Sequence, residues 1–584
     1  MLVVSLTVSA LLFVAWSWHW PLVGDASLIH YIAFLIERGW APYRDLGDMN
    51  MPGSFLIELA AMHVFGYGDL AWRIFDFTLL GCAAAAFFVI TRRAEMDRGS
   101  ARLAGLFAAC LFALVHGRDG FAQGGQRDLT MAVCLVAATA FLFVAVRRCG
   151  PRSATRKTAG ISWAAAGFGL LSGVALTIKP TAVALSLTQL ALAGWTVRRF
   201  LRAYAGGDGE SATKSVLLRY VAPAALAGLV APAIGLGFLL REGAVGAFLD
   251  GFHGIVPYYA SLGHRPLGYI LLHSLSPLLA VVIVWLAMLA VEASGRRSGA
   301  GLGGQGNDEA SAAYVPPMAM GPPWMGHPGF WRGFESALKE GPRDWERAAL
   351  VFGVVFGVLN CVVQARALPY YRYPLLVFLL PLMALDFVRG LDAAEQSWWR
   401  ARLQGKAVSV LAIAGLAVGG LFLAPQSAVL IHRYRWGQTD FLTSLQGDLE
   451  RLGGAQLSGR VQCIDSVSGC GTVLYRMRLE PATGVLSDFL LFGPGDVGIV
   501  RETRAEFSAA IGARPPQVIV VTSHLHIDGP DDFLKLERWS AFEAFLAANY
   551  KLEKQWTPRR KERWWSREEF PASYRVYVLR AGLK

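Results

Sequence analysis

Long apolar runs alternate with polar connections over the first 424 residues, and this alternation constrains the fold more than any other feature. A helix that crosses the hydrocarbon core of a bilayer needs about 20 mostly apolar residues. Eleven runs come close to this length, at residues 2–20, 70–91, 101–116, 129–146, 161–178, 181–197, 218–240, 267–291, 348–365, 370–388 and 405–424. The sequence therefore predicts a mainly α polytopic membrane protein with eleven transmembrane helices.

The composition agrees with lipid as the solvent. Hydrophobic residues make up 54% of the chain and charged residues only 17%, whereas soluble domains carry about 25% charged residues. The net charge of +12 is spread in short groups between apolar runs, which argues against a nucleic-acid partner. The first run lacks a basic start and an A-x-A-like site before Asp25, so we expect a retained helix rather than a cleaved signal peptide.

Lys and Arg concentrate in alternate connections, which predicts the orientation. The basic connections are "TRRAEMDRGSAR", "RRCGPRSATRK", "RRFLRAYAGGDGESATKSVLLR", the segment 292–347 and "RGLDAAEQSWWRARLQGK". Because basic connections stay in the cytoplasm, the N-terminus is expected inside, and residue 25 and everything after 424 outside. The segment 292–347 is rich in Gly, Pro and Ala and is expected to be a flexible cytoplasmic loop, with a docking loop as the alternative.

Residues 433–584 differ in character from the apolar part. "PPQVIVVTSH" and "SYRVYVLR" are typical of strands, and "DDFLKLERWSAFEAFLAANYK" of an amphipathic helix. A segment of about 150 residues suffices for one α/β domain, so we expect a transmembrane domain at 1–424 and an extracytoplasmic soluble domain at 433–584. Cys463 and Cys470 would lie on the oxidising side, where we expect a disulfide; two free buried thiols are the alternative.

The first outer loop holds two short amphipathic segments. "ASLIHYIAFLIERG" follows Asp25, and "PGSFLIELAAMHVFG" begins at Pro52; each has apolar residues at helical spacing and ends at a glycine. Both are too short to span a bilayer, so two juxtamembrane helices at the outer interface are expected. Asp25 itself is a candidate N-cap of the first helix, and Asp45 and Asp48 are expected to be solvated turn residues.

Several short motifs follow one another along the chain: "GDASLIHYIAFLIERGWAPYRD", "MPGSFLIELAAMHVFG", "GQRD" at 125–128, "TIKPTA" at 177–182, "RYPLLVFLLPL" at 372–382 and the C-terminal "NYKLEKQW" with "YRVYVLR". In their order and sidedness, these motifs resemble the GT-C superfamily of integral-membrane glycosyltransferases. The branch concerned includes the dolichyl-phosphate-mannose protein mannosyltransferases and the bacterial lipid A aminoarabinose transferase. The resemblance covers nearly the whole chain. It implies an enzyme of the bacterial inner membrane that transfers a sugar from a polyprenyl-phosphate donor to a glycan, lipid or protein acceptor outside, with inversion.

The resemblance also implies roles for individual residues. Asp25 matches the family's general-base aspartate, and Asp128 matches a second acid that supports the acceptor site or a divalent metal, with a helix N-cap as its alternative. No other cofactor is implied. The candidates for the donor phosphate are Arg127, Lys179 and Arg372, and those for substrate binding are Tyr43, His253, Tyr258 and Tyr373. The alternatives are pairing of Arg127 with Asp119 or Asp128, snorkelling of Lys179 to the headgroups, and interface anchoring for the aromatic residues.

Three other functions remain open. A secondary transporter usually places ionisable residues or broken helices near the bilayer midplane, whereas Arg73, Asp76 and Asp386 lie near the ends of the expected helices. A nucleotide-sugar polymerase needs an acidic metal motif in the cytoplasm, where the chain offers only "AEMD" and "RGLDAAEQ". A non-catalytic scaffold with the same fold is compatible with every pattern above. The sequence favours a transferase that acts at the outer face.

Overall fold

The structure is a computed structural model that describes most of the chain. The described residues are 2–18, 20–92, 96–148, 159–204, 209–275, 278, 282–283, 285–286, 289, 342–396, 439–466, 468–525, 529–530, 532–558 and 572–581. Residues 292–341 of the predicted cytoplasmic loop therefore lie outside the described part, and so does the predicted span at 405–424. The proposed domain boundary near 424–433 falls in the same undescribed stretch and stays a prediction.

Helices dominate the described residues and confirm the predicted fold class. In chain order they are α1 (Leu2–Ser17), α2 (Gly24–Glu37), α3 (Pro52–Phe65), α4 (Asp69–Thr91), α5 (Arg98–Asp119), α6 (Arg127–Arg147), α7 (Ala159–Ile178), α8 (Ala182–Tyr204), α9 (Gly209–Val216), α10 (Ala222–Gly228), α11 (Val230–Arg241), α12 (Val245–Ser261), α13 (Leu267–Leu275), α14 (Pro342–Gln364), α15 (Tyr373–Gln396), α16 (Thr439–Leu452), α17 (Cys470–Met477), α18 (Phe489–Phe492), α19 (Gly498–Ala513) and α20 (Ser540–Asn549). A π-helical turn at Leu217–Val221 joins α9 to α10.

Among the described residues, 7 helices are long and apolar enough to cross a membrane, and the chain is an integral membrane protein. They are Asp69–Thr91, Arg98–Gly117, Arg127–Arg147, Ile161–Ile178, Thr213–Arg241, Trp345–Gln364 and Pro369–Gly390. All of them coincide with predicted spans, and their ends differ from the predicted ones by at most 5 residues. The predicted spans at 2–20 and 181–197 are also helical, as α1 and α8. The span at 267–291 is described only in part, so the total of eleven stays a prediction.

Small residues let the membrane helices approach closely. On α7, Gly169 and Gly173 face Ala224 and Gly228 of α10; a Cβ at Gly169 would lie 1.9 Å from the Ala224 carbonyl oxygen. A Cβ at Gly173 would lie 2.2 Å from the Gly228 carbonyl oxygen. Pairs of small residues spaced by four are typical of helix packing in lipid, where close van der Waals contact replaces the hydrophobic effect.

The two ends of the helical bundle are held by different polar contacts. At one end, the Arg147 guanidinium binds Glu346 and donates to the carbonyl oxygens of Val89 and Ile90. This joins the last turns of α4 and α6 to the first turn of α14. The opposite end, which we call the site end, gathers the starts of α2, α6 and α15 with the ends of α7 and α14.

Both predicted juxtamembrane helices are present, as α2 and α3, but their surroundings differ from the prediction. Instead of lying open on the interface, α2 is buried over most of its length by residues of the C-terminal part. Tyr31 Oη donates to the Leu479 carbonyl oxygen (3.0 Å), and Thr472 Oγ1 donates to Ser27 Oγ (2.9 Å). The amphipathic pattern of α2 therefore reports protein packing rather than contact with lipid.

The C-terminal residues build a small mixed sheet in the order β1-β2-β6-β5. Its strands are β1 (Val461–Ile464), β2 (Val518–Thr522), β5 (Tyr550–Trp556) and β6 (Tyr574–Leu579), and a separate two-residue pair is formed by β3 (His524–Leu525) and β4 (Gly529–Pro530). Strands β1 and β2 are parallel, and the other pairs of the sheet are antiparallel. The helix predicted in "DDFLKLERWSAFEAFLAANYK" is shorter, because a 3₁₀ turn precedes α20 and β5 already begins at Tyr550.

A disulfide joins Cys463 of β1 to Cys470, the first residue of α17, with their Cα atoms 6.0 Å apart. Asp465 lies between them and accepts hydrogen bonds from the backbone N–H groups of Ser468, Gly469 and Cys470. The bridge and these bonds hold the start of α17, the helix that covers α2.

Candidate active site

Asp25 lies in the first turn of α2, at the site end of the bundle. Gly24 precedes it with φ +65°, a backbone conformation that favours glycine. The N-cap of α2 is Val23 and makes no side-chain cap, so the N-cap alternative for Asp25 is wrong. The Asp25 carboxylate instead accepts a hydrogen bond from Tyr370 Oη, at 2.6 Å from Oδ2. A carboxylate in a first helical turn is also stabilised by the helix dipole.

Asp128 occupies the corresponding place in α6. The N-cap position of this helix is Gln126, which makes no side-chain cap, so the N-cap alternative for Asp128 is wrong here too. The Asp128 side chain is fully buried, and its Oδ1 lies 2.5 Å from Lys179 Nζ. An acid in the first turn of one helix thus pairs with a cation in the short connection after α7.

Lys179 points into the protein rather than towards the lipid headgroups. Only 15% of its side chain is exposed. Besides Asp128, its Nζ donates to Gln364 Oε1 at 2.8 Å and lies 4.9 Å from the centre of the Tyr371 ring. Burial lowers the pKa of Lys179 to about 8, although the Asp128 carboxylate acts in the opposite direction.

Arg127 stands beside this pair. Its Nε is 3.8 Å from Asp128 Oδ2, and its Nη1 donates to Asn50 Oδ1. Within the described part of the chain, Arg127 Nε and Asp128 Oδ2 have no hydrogen-bond partner of good geometry. The expected pairing of Arg127 with Asp128 is present at long range, whereas Asp119 pairs elsewhere. Cationic N–H groups therefore remain available next to Lys179.

Aromatic rings connect Asp25 to the cations. The Tyr370 and Tyr371 rings are perpendicular, with centres 4.7 Å apart. Tyr259 of α12 lies below the Arg366 guanidinium, 3.8 Å from its ring centre, and its ring is 5.5 Å from Phe489 of the C-terminal part. Burial, and then the nearby Asp25 carboxylate, raise the pKa of Tyr259. The acid, the cations and the C-terminal part therefore meet at one end of the molecule.

Arg372 and Tyr373 do not join this group. Arg372 Nη2 forms a buried ion pair with Asp119 at 2.5 Å. The Tyr373 hydroxyl is hydrogen-bonded to His116 Nδ1 at 2.5 Å, deep in the bundle. No described contact links either residue to Asp25, Arg127 or Lys179. Both predicted roles lack support, because these side chains are already used to pack α5 against α15.

The remaining substrate-binding candidates are dispersed. Tyr43 lies close to the site and donates to the Asn50 carbonyl oxygen at 2.5 Å. His253 is exposed on α12 and its Nδ1 bonds the Leu249 carbonyl of its own helix. Tyr258 is buried with its hydroxyl 3.4 Å from the Phe489 carbonyl oxygen. Tyr258 therefore packs α12 against the C-terminal part, and only Tyr43 contacts the network around Arg127.

Several residues of the site were not identified from the sequence. Asn50, Gln364, Tyr370 and Tyr371 each contact one of the predicted acids or cations. Asp48, expected to be a solvated turn residue, is half-buried, and burial raises its pKa. The doubled tyrosine directly before the "RYP" motif was a usable signal, but tyrosines at a membrane boundary are commonly only anchors.

The donor set does not fit the divalent metal that the resemblance allows. The described residues contain no group of three or more His, Cys, Asp or Glu side chains that could hold a metal ion. One Asp128 oxygen faces the Lys179 ammonium, where a metal ion would be repelled. We therefore derive no step through a metal.

Solved structures, but no related sequences, are similar to this chain. No protein-family model and no curated protein sequence matches the chain. The crystal structure of ArnT from Cupriavidus metallidurans in the apo state is similar, with a TM-score of 0.54 and 13% identity, over 98% of this chain and 97% of that chain. The same protein bound to undecaprenyl phosphate gives a TM-score of 0.52 at 13% identity, over 98% and 97%. ArnT is a lipid A aminoarabinose transferase.

A more distant likeness is to the oligosaccharyltransferase of Archaeoglobus fulgidus with a tethered acceptor peptide. Its TM-score is 0.47 at 14% identity, over 95% of this chain and 73% of that chain. Identities this low establish the fold and not the activity. The likeness to ArnT extends over nearly the whole of both chains, and it shows that this chain has the same fold as ArnT.

Proposed function

We propose that the chain is a membrane glycosyltransferase that moves a sugar from a polyprenyl-phosphate donor to a glycan, lipid or protein acceptor. One observation carries this proposal. Asp25, the pair Arg127–Asp128 and Lys179 come from three separate parts of the chain and meet at the site end, connected through Tyr370 and Tyr371. A carboxylate close to two cations is what the transfer of a phosphate-linked sugar requires.

In the proposed reaction, Asp25 is the general base. It accepts the proton of the acceptor hydroxyl while that oxygen attacks the anomeric carbon of the sugar. The bond between this carbon and the phosphate oxygen breaks on the opposite face, so the anomeric configuration inverts. The Tyr370 hydroxyl holds one carboxylate oxygen of Asp25 and leaves the other for the acceptor.

Arg127 and Lys179 act on the leaving group. Negative charge grows on the phosphate oxygen as the glycosidic bond breaks, and fixed cations in a water-poor site stabilise it strongly. Lys179 is held between Asp128 and Gln364, and Arg127 between Asp128 and Asn50. Asp128 therefore serves here as the residue that positions the cations rather than as a second base.

The fold and the charge pattern support the proposed donor and location. Undecaprenyl phosphate is bound by the similar ArnT, and a lipid of this class is the proposed carrier, with its tail in the bilayer beside the helices. Basic connections, including Arg147 and Arg148, lie at the end opposite the site. By the positive-inside rule that end is cytoplasmic, so the site and the C-terminal part face outward from a bacterial inner membrane.

A transporter is less well supported, because the site groups lie at helix ends rather than at the midplane. A non-catalytic scaffold would keep the contacts and lack turnover. The deciding experiment incubates the purified protein in nanodiscs with a panel of polyprenyl-phosphate sugars, together with glycan, lipid and peptide acceptors that carry hydroxyl groups, and measures release of polyprenyl phosphate. Release that Asp25→Asn abolishes, and that the control Asp45→Asn in the same loop retains, supports the transferase. Full activity of Asp25→Asn would exclude Asp25 as the base, and no release with any donor would favour a scaffold.

A further inference from the structure

The loop between α2 and α3 contacts one of the two cations of the site, Arg127. Asn50 is buried, and its side-chain oxygen accepts a hydrogen bond from Arg127 Nη1. Through this hydrogen bond, a residue outside α6 contacts the Arg127 side chain. The loop can therefore fix the orientation of the Arg127 guanidinium.

Asn50 is itself held from two sides. Asp48 Oδ1 accepts hydrogen bonds from the Asn50 backbone N–H and from its Nδ2, both at 2.7 Å. Tyr43 Oη donates to the Asn50 carbonyl oxygen at 2.5 Å. With Nδ2 engaged by Asp48, the amide oxygen is fixed towards Arg127, and rotation of the amide would cost both contacts.

The first turn of α3, directly after this loop, packs against α7, the helix that leads to Lys179. A Cβ at Gly53 would lie 2.2 Å from Thr177 Oγ1 and 2.6 Å from the Thr177 carbonyl oxygen. Only glycine permits this approach, which brings the residues after Asn50 beside the last turn of α7. The segment from Asp48 to Gly53 thus contacts both Arg127 and the last turn of α7, which precedes Lys179.

We infer that Asn50, oriented by Asp48, is a positioning residue that directs the Arg127 guanidinium towards the phosphate of the donor lipid. The inference rests on the proposed function and deepens it. Asn50 acts through Arg127 and not on the lipid, because its amide is used by Asp48 and Arg127. Loss of Asn50 should therefore matter only while Arg127 is present.

A double-mutant cycle measures this dependence. Undecaprenyl phosphate is titrated into the purified full chain in detergent, and its apparent Kd is obtained from thermal stabilisation. The variants are Asn50→Ala, Arg127→Ala and the double variant, with Asp45→Ala as the loop control. Asp45 accepts the Ala41 N–H in the same loop without contacting Arg127. If Asn50→Ala does not fold, Asp48→Ala replaces it in the cycle, since it frees the Asn50 amide.

Loss of a hydrogen bond to a charged group predicts about tenfold weaker binding for Asn50→Ala. The double variant should bind no more weakly than Arg127→Ala alone, and Asp45→Ala should bind like the unaltered chain. Unchanged binding by Asn50→Ala, or losses that multiply in the double variant, would overturn the inference and leave the proposed function standing. No binding by the unaltered chain would refute the proposed function and this inference with it.

Discussion

Replacement of Lys179 by methionine tests the energetics of the site. Methionine keeps the length and apolar stem of the side chain and removes the charge. The Asp128 carboxylate, 0% exposed, would lose the ammonium 2.5 Å away. Removal of one partner from a buried ion pair typically costs about 3–5 kcal/mol. Arg127 Nε remains 3.8 Å from the other Asp128 oxygen, so we expect a loss near the lower limit, about 3 kcal/mol.

The assay is the free energy of unfolding of the purified protein, measured by denaturant titration in mixed micelles. A second variant, Lys179→Met with Asp128→Asn, separates charge from packing. Replacement of a whole buried pair by neutral groups is often close to neutral for stability, so the double variant should recover most of the loss while donor binding stays weak. A single variant that loses less than about 1 kcal/mol would refute a buried, charge-paired Lys179.

Three further results are expected. Because burial lowers the pKa of Lys179 to about 8, its positive charge is lost as the pH rises through that value, and undecaprenyl phosphate should bind more weakly above it. Lys179→Arg stays charged and should remove this pH dependence; weaker binding at alkaline pH in the Lys179→Arg variant as well would contradict the prediction. Cys463→Ser opens a short disulfide loop of separation 7, which should cost about 2–3 kcal/mol of stability; equal unfolding midpoints with and without reductant would contradict this. Gly173→Leu forces a side chain against the Gly228 backbone and should lower the unfolding midpoint, whereas Gly237→Ala in α11 should not, because a Cβ there would have no atom within 4 Å. Similar midpoints for both variants would show that the close crossing of α7 and α10 is absent.

The sequence was sufficient to predict the elements that depend on local pattern. The apolar runs predicted the membrane helices, and helical spacing after Asp25 and Pro52 predicted α2 and α3. The strands β2 and β6 were visible as β-branched runs. These features were accessible because each is encoded within a few consecutive turns or residues.

The residues that contact the predicted acids and cations could not be predicted from local pattern. Tyr370 contacts Asp25 across 345 positions, and Gln364 contacts Lys179 across 185. No periodicity within one segment reports which helix ends become neighbours. For Arg372 the sequence predicted a role at the donor phosphate, which stays a prediction, but it gave no sign of the ion pair that this side chain forms with Asp119. The burial of α2 was missed for the same reason, since its cover comes from residues more than 400 positions later.

Sidedness is the central claim, because a polyprenyl-linked sugar can be used outside only if the site end faces outward. It can be measured with single cysteines in a background that keeps the Cys463–Cys470 pair and replaces the other cysteines. Arg44→Cys and Lys551→Cys place a thiol at exposed positions of the site end and the C-terminal part, and Arg98→Cys places one at the opposite end. In bacterial spheroplasts, a membrane-impermeant maleimide should label positions 44 and 551 directly and position 98 only after permeabilisation. Labelling of position 98 in intact spheroplasts, with 44 and 551 protected, would contradict the account.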